Sequence, residues 1–311
     1  MSHRPVTAIL GLLTAALSVP TAIRLVGDHG TRRLVVLDVV VPLLVPLLLV
    51  MVVVQLLVRR RKLAVVTAAV VALNTLWLAP LYRAADLRQG ASLTVMNANL
   101  LYGRADPTAV VAMVRDRKVD VLATEELTPE EVQRLADAGV DRLLPFHVLA
   151  PLPGAEGCGL WSRYPLTALP AFALRYQAPG GVVVLPNGSK VVVRVVHPMA
   201  PVVDGLYQQD NVALRRQVKA LDRAVPTIVA GDFNGSQDNS LFRQLLSSGQ
   251  LRDAAELAGS GLQRTWSPVG WPGLLHLDHV LVNHLIDART TSVERLPGSD
   301  HRAVLARLVI S

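Results

Sequence analysis

Charged positions are scarce in the first 84 residues. The apolar run 34–58 holds one charged side chain, Asp38, near its start, and residues 63–82 hold none. Each run is long enough to cross a bilayer as a helix. A shorter run at about 6–22 contains Pro20. No small-residue cleavage site stands out after it and two more apolar helices follow, so it reads as a retained span rather than a signal peptide. The pattern predicts an all-α transmembrane region of three helices, about 6–22, 34–58 and 63–82, within a unit covering 1–84.

From 85 to 311 the pattern changes. After a polar connector, β-branched runs alternate with amphipathic stretches, as in a single α/β domain. Strands are expected at 92–99, 120–124, 159–162, 181–185, 190–196, 226–230, 277–282 and 303–310. Helices are expected at 107–118, with Pro107 in the first turn, and at 128–138, where Thr128 and Glu131 have capping-box spacing. Two more fall at 208–223 and 240–247. A Pro-Asn-Gly turn at 186–188 joins two of the strands as a hairpin.

The formal charge of +7 matters through its location. Residues 1–84 hold nine basic and two acidic side chains, which leaves 22 of the 31 basic and 22 of the 24 acidic residues for the rest. The α/β domain is formally neutral and lacks the bulk positive field that drives non-specific nucleic-acid binding. The densest basic cluster, Arg59, Arg60, Arg61 and Lys62, sits between the second and third apolar runs and predicts a cytoplasmic loop. Three spans then place everything after Leu81 outside, although Arg24, Arg32 and Arg33 fall in the other outside loop. Cys158 is the single cysteine, so no intrachain disulfide forms.

Candidate chemistry collects where predicted strands end: Asn99, Glu126, His197, Asp232 with Asn234, and Asp300 with His301. Asp278 lies inside an apolar strand, where an unpaired carboxylate would be costly, so it calls for a histidine or a metal as partner. Asn97 and His276 share strand faces with Asn99 and Asp278. Arg163 either touches substrate or fixes a turn. A Pro/Gly-rich stretch, 265–275, carries Trp266 and Trp271, which either form a lid or pack on the sheet edge.

Met96-Asn-Ala-Asn-Leu-Leu-Tyr-Gly103, Asp120-Val-Leu-Ala-Thr-Glu-Glu126, Ser162-Arg-Tyr-Pro165, Val196-His-Pro198, Gly231-Asp-Phe-Asn234, Leu277-Asp-His-Val280 and Ser299-Asp-His301 resemble, in order, the motifs of the endonuclease/exonuclease/phosphatase superfamily. The resemblance covers 92–310. It implies a DNase I-like fold, a four-layered α/β/β/α sandwich, and a metal-dependent hydrolase of phosphoester or phosphoanhydride bonds. Asn99 and Glu126 would hold Mg2+ or Mn2+, with Asp300 completing the shell or binding a second ion. Asp232 would orient or deprotonate water, and Asn234 would bond a phosphate oxygen. His301, oriented by Asp278, would stabilise charge at the phosphate, and His197 would act as a second general acid or transition-state donor. Two positions depart from the pattern. Leu101 stands where many nucleases of the superfamily have Asp, which leaves a two-metal site open, and Glu125 stands where Gln is usual.

The three-helix anchor with this domain is similar to the bacterial teicoplanin-resistance membrane phosphatases. That similarity implies a multi-pass protein of the cell membrane with its catalytic domain extracytoplasmic. Its partners would be the lipid bilayer and a phosphorylated, lipid-linked substrate such as undecaprenyl pyrophosphate, with no obligate protein partner evident. A membrane-tethered nuclease is the alternative. A catalytically dead scaffold fits poorly with so complete a residue set.

Overall fold

The computed structural model of the chain describes residues 4–202, 205–268 and 271–311. Its N-terminal region holds α1 (Arg4–Val26), α2 (Arg32–Asp38), α3 (Val41–Leu57) and α4 (Arg61–Leu78), which continues into a 3-10 turn at Ala79–Tyr82. α1 and α4 with its 3-10 turn are long and apolar enough to cross a membrane, and α2 with α3 makes a third candidate if that pair counts as one span. Polar side chains link the helices: Gln55 Nε2 donates to Thr14 Oγ1 (2.8 Å), and Asn74 Nδ2 to Thr21 Oγ1 (3.0 Å). Such bonds hold apolar helices in register where the hydrophobic effect between them is weak.

The run 34–58 is not the single straight helix expected from its hydropathy. It bends by 57° between α2 and α3. Pro42 stands in the first turn of α3, where a missing N–H costs nothing and a new helix starts readily. Val35, on α2, is buried with Tyr207 and Leu241 of the α/β domain, which draws α2 off the axis of α3.

The α/β domain contains β1 (Ala91–Asn99), α5 (Pro107–Asp116), β2 (Val121–Glu125), α6 (Pro129–Ala138), α7 (Val140–Leu143), β3 (Phe146–Ala150), β4 (Cys158–Ser162), β5 (Leu166–Leu169), β6 (Gly180–Val184) and β7 (Lys190–Val196). It continues through α8 (Leu206–Lys219), β8 (Thr227–Asp232), α9 (Ser240–Gly249), β9 (Arg252–Asp253), α10 (Ala254–Leu257), β10 (Asp278–Val282), β11 (Ile286–Arg295) and β12 (Arg302–Ile310). Two six-stranded sheets form, ordered β11-β12-β1-β2-β4-β3 and β5-β6-β7-β8-β10-β9. Helices cover both outer faces, so the chain is an α/β/β/α sandwich of DNase I-like type.

The period of two along the strands sorts the core. Leu93 and Val95 of β1, Val121 and Ala123 of β2, Val193 and Val195 of β7, and Ile228 and Ala230 of β8 fill the space between the sheets. Their neighbours Met96, Ala98 and Leu122 pack under α5 and α6, while Val196 and Val229 pack under α8 and α9. Strands β3, β5, β9 and β11 escaped the sequence reading. All four are sheet-edge strands, β3, β5 and β11 are only partly buried and β9 is two residues long, so none of them has the alternating apolar signature.

Residues 27–39 dock on the α/β domain. Asp28 accepts from Ser240 N (Oδ2, 2.7 Å) and Ser240 Oγ (Oδ1, 3.0 Å), which caps α9 from outside its own sequence. Asn239 Nδ2 donates to Val35 O (3.2 Å), and Arg24 forms an ion pair with Asp238.

Candidate active site

The inner rows of both sheets run out of apolar residues at one end. One step of two beyond Val95 come Asn97 and then Asn99; beyond Ala123 comes Glu125; beyond Val195 comes His197; beyond Ala230 comes Asp232. On the antiparallel β10 the residue before Val280 in the same row is Asp278. The packing that builds the core therefore delivers a set of buried polar groups to a common rim.

Asp278 has the partner its burial demands. His301 Nδ1 lies 2.9 Å from Asp278 Oδ2, and Thr265 Oγ1 accepts from the Asp278 backbone N–H (3.0 Å). The other ring nitrogen, Nε2, lies 3.5 Å from Asp232 Oδ2, and His197 Nε2 lies 3.7 Å from the same oxygen. Burial alone would push the His301 imidazole down. The carboxylates of Asp278, Asp232 and Asp300 outweigh it and hold the ring near a pKa of about 10, as an imidazolium.

Asn99 Nδ2 bridges Glu126 Oε1 (3.1 Å) and Asp232 Oδ2 (3.0 Å), while its oxygen accepts from Leu101 N (3.0 Å). Glu126 also accepts from Tyr102 N (2.9 Å). Asn234 donates its backbone N–H to Asp232 Oδ1 (2.9 Å) and its amide to Pro198 O (3.1 Å). Leu101, Tyr102, Glu126 and Asn234 all have positive φ, between 47° and 56°, so backbone strain concentrates around this rim. Gly231 is required for a different reason: a Cβ there would meet Val196 O at 1.9 Å, across the β7–β8 pairing.

The donor set fits a hard divalent cation. Asn99 joins Glu126 to Asp232, and Asp300 Oδ1 lies 3.9 Å from His301 Nε2; burial pushes the Glu126 carboxyl up, and Asp300 Oδ1 is buried with no hydrogen-bond partner among the described residues. Oxygen donors with excess negative charge are what Mg2+ or Mn2+ prefers. Asp232, Asp278 and His301 also lie close enough to share an ion, but the His301–Asp278 hydrogen bond accounts for that grouping.

Glu125 is fully buried. Asn97 Nδ2 donates to it (3.1 Å), and burial, with Asp278 and Asp232 nearby, pushes its carboxyl well above the usual range. Arg163 fixes a turn, bonding Asp120 Oδ1 (3.1 Å) and Val119 O (2.8 Å). His276 lies outside the site, stacked on His279 with ring centroids 4.1 Å apart. Both nitrogens of His279 are engaged, by Asp253 (2.6 Å) and Gly235 O (3.0 Å), which makes it a core histidine. Trp266 packs and donates to Asp300 Oδ2 (3.0 Å), while Trp271 is 65% exposed; Val269 and Gly270 of that stretch lie outside the described residues.

A cavity of about 430 Å³ opens over these groups. Its polar end holds Glu126, His197, Asp232, Asn234, Asp300 and His301. Its other walls are Val35, Val36 and Val39 from the helical region, with Met199, Pro201 and Val202. Tyr176, whose ring meets His197 edge-on at 5.3 Å, also lines it. Tyr176 and the α2 valines carried no motif; only their spatial placement marks them.

Fold and site together define a hydrolase of phosphate esters, and residues 96–301 match the model of the Endonuclease/Exonuclease/phosphatase family. The chain belongs to that family. An endonuclease/exonuclease/phosphatase from Beutenbergia cavernae is 20% identical with a TM-score of 0.55, covering 72% of each chain. A mannosyl-6-phosphatase from Bacteroides thetaiotaomicron is 18% identical (TM-score 0.56), covering 70% of this chain and 100% of that one. D. rerio TDP2, complexed with a single-strand DNA product, is 17% identical (TM-score 0.55), covering 70% and 99%. At these identities the likenesses speak to the fold. No curated protein matches the sequence.

Proposed function

We propose that the protein is a membrane-anchored, divalent-metal-dependent phosphoesterase that hydrolyses a lipid-linked phosphate or pyrophosphate, such as undecaprenyl pyrophosphate, at the outer face of the cell membrane. The observation that carries this reading is the composition of the cavity. One end is a cluster of carboxylates and histidines; the other is an apolar wall contributed by α2, which leads directly into the apolar helix α3. A phosphate attached to a hydrocarbon chain matches both ends, and Val36, 52% exposed, offers the chain an apolar surface beside the catalytic groups.

Glu126, with Asn99 and Asp300, would hold Mg2+ or Mn2+, which when bound polarises the phosphoryl oxygen and offsets leaving-group charge. Asp232, fixed by Asn234 N and facing both histidines, takes a proton from the attacking water or orients it. His301, kept protonated by Asp278, donates from Nε2 to the phosphoryl oxygen as charge builds. His197 Nδ1 lies 3.2 Å from Ala155 O, so that nitrogen can donate to the carbonyl while Nε2 faces the site.

An outward-facing domain is supported by the docking of residues 27–39 on the α/β domain, which keeps the α1–α3 connection beside it. The loop holding Arg59–Lys62 lies at the far end of α3, and its basic cluster favours the cytoplasm. The test is phosphate release from undecaprenyl pyrophosphate by detergent-solubilised protein, beside plasmid nicking, with Mg2+ or EDTA, for wild type and Asp232→Ala. Metal-dependent release that the variant loses, without nicking, is expected. Nicking without release would replace this reading with the tethered nuclease.

A further inference from the structure

The row logic that explains the active site leaves one pair of residues without a role. On β11 and β12, Val293 and Val304 are directly opposite and pack on the inner core. One step further toward the site end, the same two rows finish in Arg295 and Arg302, again directly opposite. Like charges at opposed positions of an antiparallel pair repel. Among the described residues neither guanidinium has an ion pair or side-chain hydrogen bond, and the adjacent Glu294 is taken by Arg117 at 2.6 Å.

Both arginines line a recess of about 310 Å³ together with Trp271 and Ser299. Asp300 and His301 line both this recess and the catalytic cavity, so the two spaces are neighbours that share these two residues as a wall. We propose that the recess is a second subsite that takes an anionic group of the substrate, a phosphate beyond the scissile one. Two arginines at opposed strand positions on one recess offer forked N–H donors that suit a phosphate, whose charge would relieve their repulsion. The inference rests on the phosphoesterase reading and narrows it. The substrate has its hydrocarbon chain along α2, its scissile phosphate at His301 and a further phosphate between Arg295 and Arg302, which selects a phosphoanhydride over a simple monoester.

The test has a binding arm and a kinetic arm. Full-length protein in detergent with EDTA is titrated with inorganic pyrophosphate while tryptophan fluorescence is followed, with Trp271→Phe assigning the signal. Affinity should fall at least about tenfold in Arg295→Gln and in Arg302→Gln, as loss of a charge-assisted bond requires. With Mg2+, KM for a polyprenyl diphosphate should rise by a similar factor in both variants, while KM for the matching monophosphate stays put. Unchanged pyrophosphate affinity, or equal losses on the two substrates, overturns the subsite. So does arginine-dependent binding of a single-stranded oligonucleotide that exceeds that of pyrophosphate, which would assign the recess to a polynucleotide. Arginine-dependent pyrophosphate binding by a protein that hydrolyses no lipid substrate would uphold the subsite and sink the proposed function instead.

Discussion

Asp278 and His301 show how one buried residue fixes the behaviour of another. The carboxylate sits in a strand with no water to solvate it, and the imidazolium it binds is the cation that faces Asp232. Asp278→Asn keeps the shape and removes the charge, so His301 loses both orientation and its raised proton affinity. A fall in kcat of about 10²- to 10⁴-fold with little change in KM is expected; an unchanged kcat would remove His301 from the chemistry. Glu131 gives a stability prediction away from the site. Burial, opposed by Arg134 and aided by Asp106, raises its carboxyl to about 7. The folded protein then holds a proton that the unfolded chain has already released, so stability is greatest below the unfolded value of about 4.3 and declines as pH rises toward 7. Glu131→Gln should melt higher than wild type at pH 8, with the two converging near pH 4. A wild type that melts higher at pH 8 would mean the Arg134 ion pair outweighs burial.

Strands and helices were legible to different depths. The strands that carry Asn99, Glu125, His197, Asp232 and Asp278 could be read because each is a short, apolar, mostly buried run with a polar residue at one end, and their inner rows converge on those ends. The edge strands β3 and β11 were not legible, since a partly buried edge strand needs no strict alternation. With β11 went the pairing of Arg295 and Arg302. Helix α2 was read as part of a span because Leu34, Val35, Val36 and Leu37 are apolar. What bends it is contact with Tyr207 and Leu241, far away in sequence. Its anchor is Asp28 on the first N–H of α9. Asp28→Ala should cost about 1 kcal/mol, as loss of a helix cap does, and should lower activity on a lipid substrate more than on a short soluble ester. Equal effects on both would separate the docking from the site.

At the scale of the whole molecule, the α/β domain and the apolar helices share one cavity. Composition divides the chain cleanly near residue 84, and that division hides a cavity lined by residues of both parts. On the proposed three-span topology, a tag at residue 311 and a cysteine at Arg33 should be modified by impermeant reagents from the same side, and a cysteine at Lys62 from the other. Labelling of Arg33→Cys and Lys62→Cys from one side would contradict the three-span arrangement. The central claim, that apolar side chains of the helical region form the substrate wall, is tested most directly by Val36→Asp. Its kcat/KM would be measured on a long-chain polyprenyl diphosphate and on a short water-soluble diphosphate. The account predicts a loss of about tenfold or more on the long chain, the cost of placing a charge against buried hydrocarbon, with the short substrate unaffected. Equal activity of the variant and wild type on the long chain would contradict it.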